Sequence, residues 1–262
     1  MADMMKGKRG LIMGVANERS IAWGIAKTMA AEGAELAFTY QGEAFGRRVA
    51  PLAETVDSEL LVDVDVTDET SMDAAFAKIR ENWGGLDFVV HAIAFSDKNE
   101  LSGRFINTSR DNFKNSLDIS CYSLIDVARR AAPLMADGGT ILTLSFDGSS
   151  RVMPNYNVMG VAKAALEATV RYLAADMGPD GIRVNAISPG PMKTLAGAAI
   201  GGARKTFRHT EENAPLRSNA TLEAVGGAAA FLASEYGAFT TGEIVHVDGG
   251  YNIMGMPAAE NL

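Results

Sequence analysis

Two side chains of the sequence have the types and the spacing for proton transfer. Tyr156 and Lys163 are seven positions apart, which is about two turns of an α-helix and roughly 10 Å of rise. Both side chains are therefore expected on one face of one helix. An ammonium group beside a phenol stabilises the phenolate, so the pair has the chemistry of a proton donor near neutral pH. Taken alone, the same spacing also fits an interfacial tyrosine and a solvated lysine.

The residues before the pair favour a ligand site. The apolar run Thr140–Ser145 predicts a buried strand that leads into a loop, and Pro154 stands just before the predicted helix. Loops at the carboxyl ends of strands in an open α/β sheet are where ligands bind. The rest of the chain is then expected to supply the sheet and a cofactor.

Apolar runs alternate almost strictly with amphipathic stretches along the whole chain. This alternation predicts βαβ units and an α/β fold, a single-domain doubly wound parallel sheet with helices on both faces that spans residues 1–262. The predicted strands are Arg9–Gly14, Glu35–Tyr40, Leu60–Val66, Leu86–Ala94, Thr140–Ser145, Ile182–Ser188 and Glu243–Val247. The predicted helices are Ser20–Glu32, Glu43–Thr55, Glu69–Trp83, Arg110–Met135, Tyr156–Met177 and Leu222–Ser234.

Composition excludes several classes of protein. With 47% hydrophobic residues, 21% charged residues and a formal net charge of −8, the chain has no basic field for nucleic acid. It contains no apolar run long enough to span a membrane, and Met1–Arg9 lacks the apolar segment of a signal peptide, so we expect a cytoplasmic protein. The single cysteine, Cys121, is expected in the core, and the scattered histidines predict no metal site.

The first strand-to-helix turn is a candidate phosphate site. Gly14–Ile21 lies where a nucleotide-binding sheet presents free backbone N–H groups to a pyrophosphate, although it keeps only one glycine of the usual ladder. Ser20 stands at the expected N-cap. Its hydroxyl is predicted to bind either the N–H groups of its own helix or a phosphate oxygen.

The ends of the next strands would hold the remainder of a dinucleotide. Thr39–Gly42, which contains Gln41, has no acidic residue to exclude a 2′-phosphate and no basic residue to bind one, since Arg47 and Arg48 come at least a turn later; this favours NADH over NADPH. Asp65 and Val66 are expected at the adenine edge, although Asp65 also suits a simple turn. Small residues around Ile93 would let the backbone approach the cofactor closely.

A lid and a charged rim are predicted near residues 192–210. Met192–Gly202 is rich in small residues, so it would open easily and exclude water from hydride transfer to a long apolar substrate. An ordinary surface helix is the alternative. Arg204, Lys205 and Arg208 follow it and form either a solvated face or a docking spot for an acidic carrier.

With these residues in view, the sequence resembles the short-chain dehydrogenase/reductase superfamily and, within it, the bacterial NADH-dependent enoyl-[acyl-carrier-protein] reductases, over nearly its whole length. The segments Pro154–Gly160 and Val247–Gly250 are more specific than the shared Tyr–Lys pair. The resemblance implies a Rossmann-like fold, a homotetramer, and reduction of the trans-2 double bond of fatty acyl thioesters on acyl carrier protein.

The resemblance also implies a role for each matched residue. Tyr156 would donate to the thioester carbonyl oxygen, and Lys163 would hold the hydroxyls of the nicotinamide ribose. The implied cofactor residues are Gly14, Ser20, Ile21, Gln41, Asp65, Val66, Ile93, Lys163, Met192 and Thr194, and the implied substrate residues are Ser96, Tyr156, Ala196 and Ile200.

One position departs from the family pattern. Most bacterial members carry a second tyrosine where this chain has Phe146, and the segment Phe146–Pro154 is more similar to the mycobacterial branch. A phenyl ring donates no hydrogen bond, so Phe146 is expected to act in catalysis by shielding the hydride path.

Two alternatives remain open at this point. A 3-oxoacyl or other carbonyl reductase of the same superfamily needs a hydroxyl upstream of the tyrosine, and Thr143 and Ser145 lie close enough to supply one. A non-enzymatic NAD-binding sensor is the alternative from another class, but it would need neither Tyr156 nor Lys163.

Overall fold

Seven parallel strands form one sheet in the order β3-β2-β1-β4-β5-β6-β7, in a computed structural model that describes residues 3–198 and 200–261. The strands are β1 (Arg9–Met13), β2 (Glu35–Tyr40), β3 (Leu60–Asp63), β4 (Phe88–His91), β5 (Gly139–Leu144), β6 (Ile182–Pro189) and β7 (Ile244–Val247). All seven predicted strands are confirmed. β3 and β4 end earlier than expected. Regular pairing stops at Asp63 and His91, although the next N–H groups, of Val64 and Ala92, still donate to the carbonyls of Tyr40 and Met13.

Helices connect successive strands and cover both faces of the sheet. They are α1 (Ile21–Ala31), α2 (Gly42–Glu54), α3 (Glu69–Trp83), α4 (Arg110–Leu117), α5 (Ser123–Ala131), α6 (Asn157–Met177), α7 (Leu195–Ala198), α8 (Ala203–Asn213) and α9 (Leu222–Ala233). The predicted Rossmann-like class is therefore confirmed. No helix within the described ranges is long and apolar enough to cross a bilayer.

The core has two layers because successive residues of a strand face opposite sides of the sheet. Leu11 and Met13 of β1 join the cluster under α3, α5 and α6. Ile12 joins the cluster under α1, α2 and α9. Each such buried side chain contributes about 1.5–3 kcal/mol to folding. The sheet that carries the site is therefore held rigidly from both faces.

The predicted helix Arg110–Met135 is wrong as one continuous element. Between α4 and α5 lies a π turn, Asp118–Tyr122, and a short 3₁₀ turn follows α5. The wider turn lets Ser120 face the loop after β4, where its hydroxyl accepts from the backbone N–H of Phe95 and donates to the Phe95 carbonyl. Turns of this kind occur often at functional sites.

His91, the last residue of β4, is completely buried. Its Nδ1 lies 3.1 Å from the Thr143 hydroxyl and its Nε2 lies 2.8 Å from the Ser123 hydroxyl. Burial, aided by the positive charge of Lys163, lowers the pKa of His91 to about 3. His91 is thus a neutral packed residue, which is the role that histidines in a strand most often have.

His91 predicts an acid-sensitive stability. The unfolded chain takes up a proton on this imidazole below pH 6.5, while the folded protein keeps it neutral down to about pH 3. Stability is therefore lost as the pH falls from 6.5, by about 2 kcal/mol at pH 5. Urea unfolding of His91→Gln should show a shallower loss between pH 7 and 5. Exposed His246→Gln is the control, and equal slopes in wild type and His91→Gln would contradict the assignment.

Candidate active site

Helix α6 carries both residues of the predicted pair on the face that meets the sheet. Tyr156 precedes its first turn at 7% exposure, and Lys163 lies two turns further at 6%. The Lys163 ammonium donates a 2.6 Å hydrogen bond to the carbonyl of Leu144, the last residue of β5. The two side chains are therefore brought together at the carboxyl edge of the sheet, with the ammonium bound to the main chain rather than to the phenol.

The turn after β5 packs directly against Tyr156. The Phe146 ring meets the Tyr156 ring edge to face, with 5.1 Å between centroids and 69° between planes. A Cβ atom on Gly148 would lie 2.5 Å from the Tyr156 ring. Only glycine permits this approach, so the turn presses Phe146 and Tyr156 into a fixed arrangement.

Two asparagines flank Tyr156 in unusual backbone conformations. Asn155 has φ +60° and Asn157 has φ +29°, values that are strained for a residue other than glycine and that concentrate at functional sites. The Asn155 amide donates to the Gly201 carbonyl at 2.7 Å, and the Asn157 amide donates to the Glu100 carbonyl at 3.0 Å. The strained residues thus tie two separate loops to the start of α6.

These loops enclose the phenol in an apolar pocket wall. Leu101, Met159 and Ala162 are buried around Tyr156. Further partly buried members of this cluster are Leu117, Phe146, Met153 and Ile200. Such a wall suits a hydrocarbon chain rather than a polar substrate. Ile200, predicted to touch substrate, lies in the wall.

Ser96, another predicted substrate residue, is bonded to helix α4. The Ser96 hydroxyl donates to the Asn112 side chain at 3.2 Å, which fixes the loop after β4 to helix α4. Ala196, also predicted to bind substrate, is the second residue of α7, and its side chain lies outside the described part of the structure.

Burial sets the protonation of the pair. Burial raises the pKa of Tyr156, so the hydroxyl stays protonated and acts as a donor. Burial lowers the pKa of Lys163 to about 8, while the neighbouring Cys121 and Glu167 oppose the shift. Within the described ranges, the Tyr156 hydroxyl has no hydrogen-bond partner. It is thus available to a ligand oxygen.

A dinucleotide fits the edge of the sheet where the strand order reverses. This point lies between β1 and β4, where Met13 pairs with His91, and ligands of doubly wound sheets bind in that crevice. Gly14 follows β1 with φ +97°, and a Cβ there would lie 2.1 Å from the Ala92 carbonyl oxygen. Only glycine lets the backbone after β1 pack this closely against the end of β4, beside that crevice.

Ser20 holds this turn in shape. Its hydroxyl oxygen accepts from the backbone N–H groups of Ala16 and Asn17 at 3.0 and 3.1 Å. It makes no cap to its own helix, so the first N–H groups of α1, beginning at Ile21, point out of the helix end without a side-chain acceptor. Uncapped N–H groups favour an anion.

The residues predicted to hold the adenosine also converge at this edge. Asp65 accepts from the Thr67 backbone N–H and hydroxyl at 2.9 and 2.7 Å. These bonds, with a smaller contribution from Gln41, lower its pKa. Asp65 is thus a turn residue that also presents a carboxylate beside exposed Gln41. Val66 and Ile93 are partly buried against the core on the α3 side.

The remaining predicted cofactor residues lie just before α7. Met192 packs against the core on the α1 side. The Thr194 hydroxyl accepts from the Gly197 backbone N–H at 2.9 Å and so holds the first turn of α7. This bond fixes the Thr194 side chain at the start of α7.

Sequence reasoning missed the two asparagines and their loops. The available signal was the pattern Asn155-Tyr156-Asn157, because asparagine is the residue other than glycine that most readily adopts positive φ. Helix α8 was also missed. Its residues are almost all polar, so it lacks the apolar stripe by which helices are recognised.

Comparison with known proteins agrees with this geometry. Residues 14–252 match the family model described as enoyl-(acyl carrier protein) reductase. A Rhizobium meliloti protein named enoyl-[acyl-carrier-protein] reductase [NADH] 2 is 62% identical over 100% of this chain and 98% of its own length.

Solved structures give the same result. A reductase from Anaplasma phagocytophilum, crystallised with NAD, is 55% identical and covers 99% of each chain with a TM-score of 0.96. The Bacillus cereus enoyl-acyl carrier protein reductase, crystallised with NADP⁺, is 48% identical and covers 98% of this chain and 100% of its own, with a TM-score of 0.95. The chain belongs to the enoyl-(acyl carrier protein) reductase family.

Proposed function

We propose that this protein uses NADH to reduce the trans-2 double bond of enoyl thioesters on acyl carrier protein, a step of fatty acid biosynthesis. The observation that carries the proposal is the Tyr156 hydroxyl, which makes no hydrogen bond within the described ranges and belongs to a buried side chain in the apolar wall beside Phe146. A relative named as the NADH enzyme is 62% identical, which supports the same activity.

The chain's own residues would act on the substrate oxygen. Bound NADH supplies the hydride, held by the Gly14 turn, the start of α1, Gln41, Asp65 and Lys163. Addition at the β-carbon moves negative charge onto the thioester oxygen. A hydrogen bond from Tyr156 to that oxygen stabilises the charge as it develops, by about 3–4 kcal/mol. The Phe146 ring excludes water without offering a second donor.

The carbonyl-reductase alternative is weakened by the two upstream hydroxyls. The Thr143 hydroxyl donates to the His91 carbonyl at 3.0 Å. The Ser145 hydroxyl donates to the Glu167 carboxylate at 2.5 Å. Both hydroxyls already donate to acceptors within the protein, so neither is available to donate a hydrogen bond to a ketone oxygen beside Tyr156. NADH oxidation with a crotonyl thioester and an acetoacetyl thioester tests the proposal, because faster turnover of the acetoacetyl ester would reject it.

Substitution of the pair should separate chemistry from cofactor binding. Tyr156→Phe removes only the donor, so turnover of a crotonyl thioester should fall at least tenfold while NADH affinity stays nearly intact. Lys163→Ala should instead weaken NADH binding, as measured by a titration of NADH fluorescence. Full turnover by Tyr156→Phe would remove the phenol from the mechanism.

We also assign a substrate lid to residues 192–210, within a single domain of residues 1–262. Support comes from the Asn155 bond to Gly201 and from Ile200, which reaches the wall around Tyr156. The segment contains the short α7 and, before α8, Gly201 and Gly202. Hydrogen exchange of these amides should therefore slow when NADH and an acyl thioester bind.

The outer face of α8 suits an acidic carrier. Arg204, Lys205 and Arg208 are exposed along it. Arg208 is bound by Glu212 at 2.7 Å, whereas Arg204 and Lys205 form no ion pair with any described residue. These two cations, in the last part of the lid segment, would attract a carrier protein of negative charge.

Charge reversal tests this docking surface. Arg204→Glu with Lys205→Glu should raise KM for the carrier-linked enoyl substrate and leave KM for the coenzyme A ester nearly unchanged. The increase should shrink at high salt, because exposed charges are screened. Equal increases for both substrates would contradict docking at α8.

Exposed apolar side chains support a homotetramer. Phe113, Tyr122 and Ile125 are exposed on α4, the π turn and α5, and Tyr172 is 81% exposed on α6. Phe239, in the loop before β7, is also fully exposed. Exposed apolar side chains of this kind fit burial between subunits of a closed assembly. A monomer in sedimentation analysis at micromolar concentration would reject it.

We place the enzyme in the cytoplasm, since buried Cys121 suits a reducing compartment.

A further inference from the structure

Glu167 is a half-buried carboxylate of α6 with no part in the function described so far. It lies one turn after Lys163, on the same face of the helix. One of its oxygens, Oε1, accepts the Ser145 hydroxyl at 2.5 Å and the Ser149 hydroxyl at 2.6 Å. Hydrogen bonds to a charged acceptor are about twice as strong as those between neutral groups.

These bonds anchor the turn that carries Phe146. Ser145 precedes Phe146 and Ser149 follows it, so the carboxylate holds the turn on both sides of the ring. Lys163 binds the Leu144 carbonyl just before it. Three contacts from one face of α6 therefore fix residues 144–149, and the Phe146 ring packs against Tyr156 within the apolar cluster.

We propose that Glu167 is a positioning residue, which holds Phe146 against Tyr156 through the two serines and places a negative charge one turn from the Lys163 ammonium. The proposal rests on the reductase function above. In that function Glu167 touches neither substrate nor cofactor, but it sets the position of Phe146 beside Tyr156.

The surroundings of Lys163 make the charge important. Tyr156 and Glu167 face it from α6, Cys121 faces it from the π turn and His91 lies beneath it on β4. His91 is neutral at physiological pH, and Glu167 is the carboxylate of this group. Without it, burial would lower the pKa of Lys163 further.

Two substitutions separate the charge from the hydrogen bonds. Glu167→Gln keeps an oxygen that accepts both hydroxyls but removes the charge, whereas Glu167→Ala removes both. Ser149→Ala removes one bond alone and serves if Glu167→Ala does not fold. Asp176→Asn is the matched control, because Asp176 is an exposed carboxylate on the same helix.

The primary measurement is NADH affinity against pH, by fluorescence titration. In the wild type, affinity should weaken as the pH rises through about 8, where Lys163 loses its proton. In Glu167→Gln this midpoint should move to lower pH, because the negative charge that favours the ammonium is gone. Asp176→Asn should keep the wild-type midpoint. An unmoved midpoint in Glu167→Gln, or an equal shift in Asp176→Asn, would overturn the role of the charge.

The second measurement is turnover of a crotonyl thioester at pH 6.5, where Lys163 is protonated in every variant that retains it. Glu167→Ala should fall at least fivefold below Glu167→Gln, because only the alanine variant frees the turn. Equal turnover in the two would overturn the positioning of Phe146. Absence of crotonyl reduction by the wild type would reject the proposed function instead, and the NADH titration would still test Glu167.

Discussion

The site depends on the contact between helix α6 and the turn after β5. Strand β5 is paired on both sides, with β4 and with β6, so its end has little freedom to move. The Lys163 ammonium binds the last carbonyl of that strand, and Gly148 lets the turn touch the Tyr156 ring. A buried ammonium is costly unless it is hydrogen-bonded, and this requirement locks the helix to the strand. The position of the Tyr156 phenol is therefore fixed by the sheet.

The order of the strands places the predicted cofactor residues in a line along one edge of the sheet. From β3 to β5 the sheet edge presents Asp65, Gln41, Gly14 and then Lys163. A dinucleotide laid along this edge would meet groups suited to adenosine, pyrophosphate and nicotinamide ribose in that sequence. Residues far apart in the chain become neighbours because the parallel strands end at one edge. The same topology leaves the apolar wall around Tyr156 at the nicotinamide end, beside the lid.

Local periodicity explains what could be predicted from sequence. The seven strands are buried apolar runs, and the helix that carries Tyr156 and Lys163 has a spacing that is visible without any tertiary information. The fold and the catalytic pair were therefore accessible. Ser20 shows the limit, because its position as an N-cap was predicted but its hydroxyl binds the preceding turn instead of the helix. Sequence gives the position of a polar side chain, whereas its partner depends on geometry.

The same limit explains the rest of the differences. The π turn after α4 exists because Ser120 meets Phe95 across the sheet edge, a contact with no signal within the helix itself. Asn155 and Asn157 bind loops that are 46 and 57 residues away in the chain. Glu167 has the ordinary spacing of a surface carboxylate, and only the fold brings two serine hydroxyls to it. Groups that position other site residues do so through contacts between residues that are far apart in the sequence. They are therefore the part of a site that is hardest to predict from a single sequence.

Phe146 illustrates how these contacts shape the chemistry. A tyrosine at this position would add a second hydroxyl near the substrate oxygen, while a phenyl ring adds only volume and an edge-to-face contact worth about 0.5–1.5 kcal/mol. In the proposed mechanism, stabilisation of the developing charge then rests on Tyr156 among the side chains of the wall. A single donor is effective only if it is held at the correct distance and kept dry. The bonded turn, the strained asparagines and the apolar wall all serve that requirement, which explains why so much of the local structure is devoted to fixing one ring.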